Sequence, residues 1–104
     1  MGLDDLYDIL KVVYPTAYWS FPENEAPAMP YIVYFETSTD NFGADNKVYH
    51  KIKGISVELM TKTKDPTAEA AVEAALDAAD IFWNKTESHL DDEDAYMVVY
   101  DMEV

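Results

Sequence analysis

A chain of 104 residues has room for one hydrophobic core and none for a second, so it reads as a single domain spanning 1–104. Its 49% hydrophobic and 13% aromatic content exclude a disordered polymer, and the lack of cysteine excludes disulfides and thiolate metal sites. Asp and Glu number 21 against 7 Lys and no Arg, a formal net charge of -14 that repels phosphate backbones and argues against specific nucleic-acid binding.

That acidity has a plain use in keeping a small protein in solution, and a sharper one in guarding a surface that DNA must pass without sticking. No apolar run approaches the roughly 20 residues of a membrane span. Met1-Gly2-Leu3-Asp4-Asp5 is acidic where a signal peptide is basic, so the expected compartment is the cytosol of the producing cell, away from membranes.

Leu3, Leu6, Ile9, Leu10 and Val13 recur at helical spacing, with Asp4, Asp5 and Asp8 near the positive end of the dipole. Pro15 stops the run, which predicts an amphipathic helix from about Asp4 to Tyr14. Thr16 to Phe21 is short and aromatic and predicts an edge strand. Pro22, Pro27 and Pro30 then forbid regular pairing and mark a surface loop.

Tyr31-Ile32-Val33-Tyr34-Phe35-Glu36-Thr37 is continuous in bulky residues, as a central strand buried on both faces would be. A seven-residue turn, Asp40 to Asn46, leads into a longer strand ending near Lys62. Along that strand Val48, His50 and Ile52 share one parity, whereas Ile55, Val57 and Leu59 share the other. A strand that keeps its apolar face through such a change needs an extra residue, and Lys53-Gly54 is the expected bulge.

Asp65-Pro66 opens a second helix with a capping side chain followed by proline at the first helical position. Ala68, Ala71, Val72, Ala75, Leu76, Ala79, Phe82 and Trp83 form its expected apolar stripe, with Glu69, Glu73, Asp77 and Asp80 on the remainder. Asn84 to Leu90 reads as a strand, Asp91-Asp92-Glu93-Asp94 as an acidic turn, and Ala95 to Val104 as a closing strand. On the last, Tyr96, Val98, Tyr100, Met102 and Val104 share one face. The expected fold is α+β: a two-layer sandwich with a mostly antiparallel sheet of four to five strands and two helices on one face.

Nothing in this order assembles a catalytic constellation, and no cofactor is expected. His50 sits at a core parity and His89 beside the acidic turn, on different predicted strands. Asp91-Asp92-Glu93-Asp94 lacks the spaced ligands and glycine of an EF-hand and reads as a solvated turn. Ser20, Ser38, Ser56 and Ser88 lie in no nucleophile elbow, and three glycines form no phosphate loop. The expectation is therefore a protein that is not an enzyme. Phe42 within a polar turn has two readings, an interface contact or the turn's own hydrophobic plug.

Pro30-Tyr31-Ile32-Val33-Tyr34, Asp40-Asn41-Phe42 with Ala44-Asp45-Asn46-Lys47-Val48-Tyr49, and Val57-Glu58-Leu59 with Thr61 and Lys64-Asp65-Pro66 carry a family resemblance. Together with Lys85-Thr86-Glu87 and Tyr96 to Val104, they resemble the tail-completion or tail-terminator proteins of long-tailed phages and prophages of Gram-positive bacteria, also described as head-tail joining or minor capsid proteins. The resemblance implies a subunit of a ring, commonly a hexamer, that caps the tail tube and presents it to the head connector, with DNA passing through. It places the protein in the virion at the head-tail junction, made in the host cytoplasm. Its partners would be copies of itself, tail tube and connector proteins, and Asn41, Phe42, Gly43 and Ala44 are the expected contact. The competing reading is an acidic binding module, an inhibitor or DNA mimic acting on a basic protein.

Overall fold

The structure, a computed structural model, describes residues 2–22, 25–39, 42–44, 47–50, 53–90 and 95–104, with backbone alone at 38–39, 42–44 and 47–50. Along the chain run α1 (Leu3–Lys11), β1 (Thr16–Tyr18), β2 (Tyr31–Thr39), β3 (Phe42–Ala44), β4 (Lys47–His50), β5 (Lys53–Thr61), α2 (Pro66–Ala78), β6 (Trp83–Leu90) and β7 (Ala95–Glu103). Five strands form one sheet in the order β1-β2-β5-β7-β6, and β3 and β4 pair separately. Every neighbouring pair is antiparallel except β1 and β2. This is the α+β two-layer arrangement expected from the sequence.

The helices share one sheet face. Leu6 and Leu10 of α1 and Ala68, Val72 and Leu76 of α2 pack with Ile32, Tyr34, Ile55, Val57, Leu59, Val98, Tyr100 and Met102 in a single core. Those strand residues keep one parity across three registered strands, with Ile32 opposite Leu59, Leu59 opposite Val98, and Val57 opposite Tyr100. Alternation along each strand therefore delivers one apolar wall, and the period of α2 delivers the other.

Helix α1 ends at Lys11, three residues short of the expected Tyr14. The amides of Val13 and Tyr14 both reach the Leu10 carbonyl, at 3.0 and 3.3 Å, in a closing turn before Pro15, whose ring disfavours helical backbone at its predecessor. At the other end the Asp5 carboxylate accepts from the Gly2 amide at 2.9 Å. For α2, the Asp65 carboxylate accepts from the Ala68 amide at 3.0 Å and Pro66 takes the first position, as expected. Its far end corrects the expected stripe: Asp80 turns left-handed at φ 58, and the amides of Asp80 and Ile81 return to the carbonyls of Asp77 and Leu76. That Schellman closure buries Ile81 and turns the chain out of the helix, so Phe82 leaves the core and Trp83 begins β6.

The hairpin differs from expectation in three respects. β2 is an interior strand with both parities buried at Ile32, Val33 and Tyr34, as expected, but the edge strand β1 beside it stops at Tyr18 instead of Phe21, and the middle of the sheet is β5. The bulge lies on β2: Glu36 pairs with Ile55 and Ser38 with Gly54, leaving Thr37 as the extra residue. A two-for-one mismatch can be absorbed by either strand, and parity along one strand cannot say which. Finally, the expected turn is an arm in which Phe42 pairs with His50, Gly43 with Val48 and Ala44 with Lys47. His50 and Val48, expected at core positions of one long strand, thus belong to the separate β3–β4 sheet, and Ile52 lies outside the described residues.

Candidate interaction surface

The helix side of the sheet carries a polar clamp at its β6 edge. Lys85 and Glu87 stand opposite Tyr100 and Val98, so their side chains point toward α2. Glu69, expected on the solvent side of that helix, is only 3% exposed. Lys64 Nζ lies 2.9 Å from its Oε1 and 2.7 Å from its Oε2, and Lys85 Nζ donates to Oε1 at 3.2 Å. Lys85 also reaches Glu73 Oε2 at 3.1 Å, where the Tyr100 hydroxyl donates at 2.8 Å, and Lys64 pairs with Glu87. A buried carboxylate is tolerable when it is paired in this way.

The clamp holds Lys64, Lys85 and the Tyr100 hydroxyl in their resting protonation states. Hydrogen bonds to Glu69 and then Glu87 raise Lys64 above the usual lysine range, and bonds to Glu73 and then Glu69 raise Lys85. Burial, followed by the bond to Glu73, raises the Tyr100 hydroxyl as well. A lysine nucleophile or a tyrosinate base needs the opposite shift. The arrangement pins an edge strand to a helix.

Among the described residues no helix lies over the opposite face of the sheet. By register it carries Val33 and Phe35 of β2, Gly54, Ser56, Glu58 and Met60 of β5, Met97, Val99, Asp101 and Glu103 of β7, and Asn84 and Thr86 of β6, with Val33, Ser56 and Met60 buried. Because β1 runs parallel to β2, the chain between them must travel back along the sheet. Its aromatics mark the path, with Trp19 stacked edge-on to Phe35 at 5.4 Å and Phe21 to Tyr31 at 5.3 Å. One end of this face is thereby lined by loop side chains, and the other is open.

At the open end lies a groove of about 520 Å³ lined by Thr37, Gly54, Phe82, Asn84, Asp101 and Glu103. Gly54 contributes no side chain to this row, and Phe82, 80% exposed, forms a wall. Trp19 at the opposite edge is 68% exposed and held at φ 70, a left-handed backbone that costs a bulky residue about 1–2 kcal/mol. Between them Glu58 stands opposite Val33 and Val99, and burial raises its carboxyl above the usual glutamate range. Among the described residues Glu58, Asp101 and Glu103 have no ion pair, and the registered positions of the strands place no lysine on their face.

Of the expected contact residues, Phe42, Gly43 and Ala44 form β3, and Asn41 lies outside the described residues, as does the acidic turn 91–94. His89 is exposed on β6, next to Ser88, and Ser56 is buried in β5 on another strand, so these residues do not converge. No group of three His, Cys, Asp or Glu among the described residues is arranged to hold a metal ion, and no helix among them is long and apolar enough to cross a membrane. The sequence reading missed Glu58, although one acid between Ser56 and Met60 on the non-core parity of a strand is a legible signal. No protein-family model, no curated protein and no solved structure matches this chain.

Proposed function

We propose that this chain is a structural subunit of a phage or prophage tail, which associates with copies of itself into a ring that completes the tail tube and joins it to the head connector. The observation that carries the reading is the β3–β4 arm. It pairs with itself instead of extending the main sheet, and it holds residues around Phe42 that carry part of the family resemblance. An arm outside the sheet can reach a neighbouring subunit without disturbing the core. The element order of helix, strands, helix, strands supports the same reading. So does the net charge, since an acidic lumen lets DNA slide without adhering. On this reading the protein acts without catalysis, in the virion, at the head-tail junction.

Electron microscopy of the purified protein, alone and with tail tube subunits, tests it. Rings are expected, and Phe42→Ala should abolish them while leaving the thermal melt of the monomer unchanged. Absence of rings under both conditions, or rings from the Phe42→Ala variant equal to wild type, would sink the proposal. A second reading, an acidic module that occupies a basic protein, is favoured by the unpaired Glu58 on the open sheet face. It predicts one-to-one binding that weakens steeply with salt.

A further inference from the structure

We propose that the open face of the sheet is a docking site for an extended, basic segment of a partner protein, with its cationic side chains seated between Trp19 and Phe82 against Glu58, Asp101 and Glu103. The inference rests on this face and stands whether or not the chain closes a ring. Three independent features point to the same occupant. Among the described residues the carboxylates on the face have no cation of their own, and Glu58 is flanked across both neighbouring strands by valines. A partly desolvated carboxylate without a counter-charge is unfavourable until one is supplied. Nucleic acid and anionic lipid bring the wrong sign, and a second copy brings a further net charge of -14.

The second feature is the pair of exposed aromatics at opposite edges of the face, one on the strained Trp19 backbone and one after the Schellman turn. Aromatic faces stack on guanidinium groups and attract ammonium groups, which suits cations that alternate with apolar residues. The third is shape. The row from Trp19 to the β6 edge crosses four interstrand gaps, about 19 Å at the usual spacing, which an extended segment of about six residues spans. The groove at Gly54, about 520 Å³, admits a side chain at one end of that path. The segment crosses the strands, so it reads side chains on the face and does not add a strand to the edge.

The test uses the full chain and a six-residue peptide alternating arginine and leucine, with a citrulline-for-arginine peptide as the neutral control. Binding is followed by calorimetry and by amide chemical shifts. Wild type should bind the arginine peptide at least tenfold more tightly than the citrulline peptide, with shifts confined to the loop after β1, to β2, β5, β7 and β6, and to Phe82. The combined variant Glu58→Gln, Asp101→Asn and Glu103→Gln should lose at least tenfold in affinity. A charge-matched variant on the helix side, Asp4→Asn, Asp8→Asn and Asp80→Asn, should stay within twofold of wild type. Equal losses in the two variants would show generic attraction to an acidic protein and overturn the proposal. Equal binding of the citrulline peptide, or shifts centred on α1 and α2, would overturn it as well. Thermal melts of both variants confirm that each is folded when measured.

Discussion

Tyr100→Phe isolates the hydrogen bond that links the core to the clamp. Tyr100 is the bulkiest of the fully buried side chains, and its hydroxyl donates to Glu73 Oε2 at 2.8 Å. Phenylalanine keeps the ring and its edge-on contact with Trp83 at 5.4 Å, so no cavity term enters. Glu73 keeps Lys85 at 3.1 Å, so no carboxylate is stranded. The loss is then one charge-assisted hydrogen bond, about 1.5 kcal/mol net, or about 6–12 °C in Tm for a domain of this size. Urea unfolding followed by circular dichroism measures it.

The same substitution carries a pH signature. Burial holds the Tyr100 proton in the folded chain to higher pH than in the unfolded chain. As pH rises past 10, the unfolded chain therefore loses its proton first and wild type loses stability, by up to about 1.4 kcal/mol per pH unit. The variant lacks that proton. The gap between the two proteins should be constant at neutral pH and shrink above about pH 10, because Tyr34, Tyr96, Lys64 and Lys85 titrate in both. A gap under about 0.5 kcal/mol at neutral pH, or one unchanged between about pH 9 and 11, would refute the assigned role of the hydroxyl.

Leu59→Ala empties a fully buried site on the middle strand and should cost about 3 kcal/mol in urea unfolding; a loss under about 1 kcal/mol would mean that the two layers collapse onto the gap. Asp65→Ala removes the bond to the Ala68 amide and should cost about 1 kcal/mol in thermal unfolding, with Asp65→Asn retaining most of it. Glu58→Gln should raise Tm at pH 7. The folded chain there holds a partly buried charge that the unfolded chain hydrates, so wild type should recover as pH falls through the raised Glu58 pKa, and the two proteins should converge in acid. A Glu58→Gln protein less stable than wild type at neutral pH would show that the carboxylate has a favourable partner.

What the sequence by itself determined is what depends on neighbours within a turn or along a strand. Asp65-Pro66 reads as a helix start because the cap and its amide lie three residues apart. Tyr96, Val98, Tyr100 and Met102 read as sharing one face because alternation is a property of the extended backbone, and that face is the one packed under the helices. Those local periods were enough for the α+β class, for both helices, and for β6 and β7 within one residue at their observed ends.

Only the tertiary structure decided what depends on partners far along the chain. Glu69 looks solvent-facing on its own helix, and its burial becomes tolerable because Lys64 and Lys85 converge on it from a loop and from β6. Phe82 continues the apolar stripe of α2 in sequence, yet the left-handed turn at Asp80 points it to solvent. Parity announces an irregularity near Gly54 without saying which strand takes the extra residue, since that is a property of the pair. The open face has the same origin: Trp19, Glu58, Phe82 and Asp101 are strangers in sequence, and sheet order alone brings them to one surface.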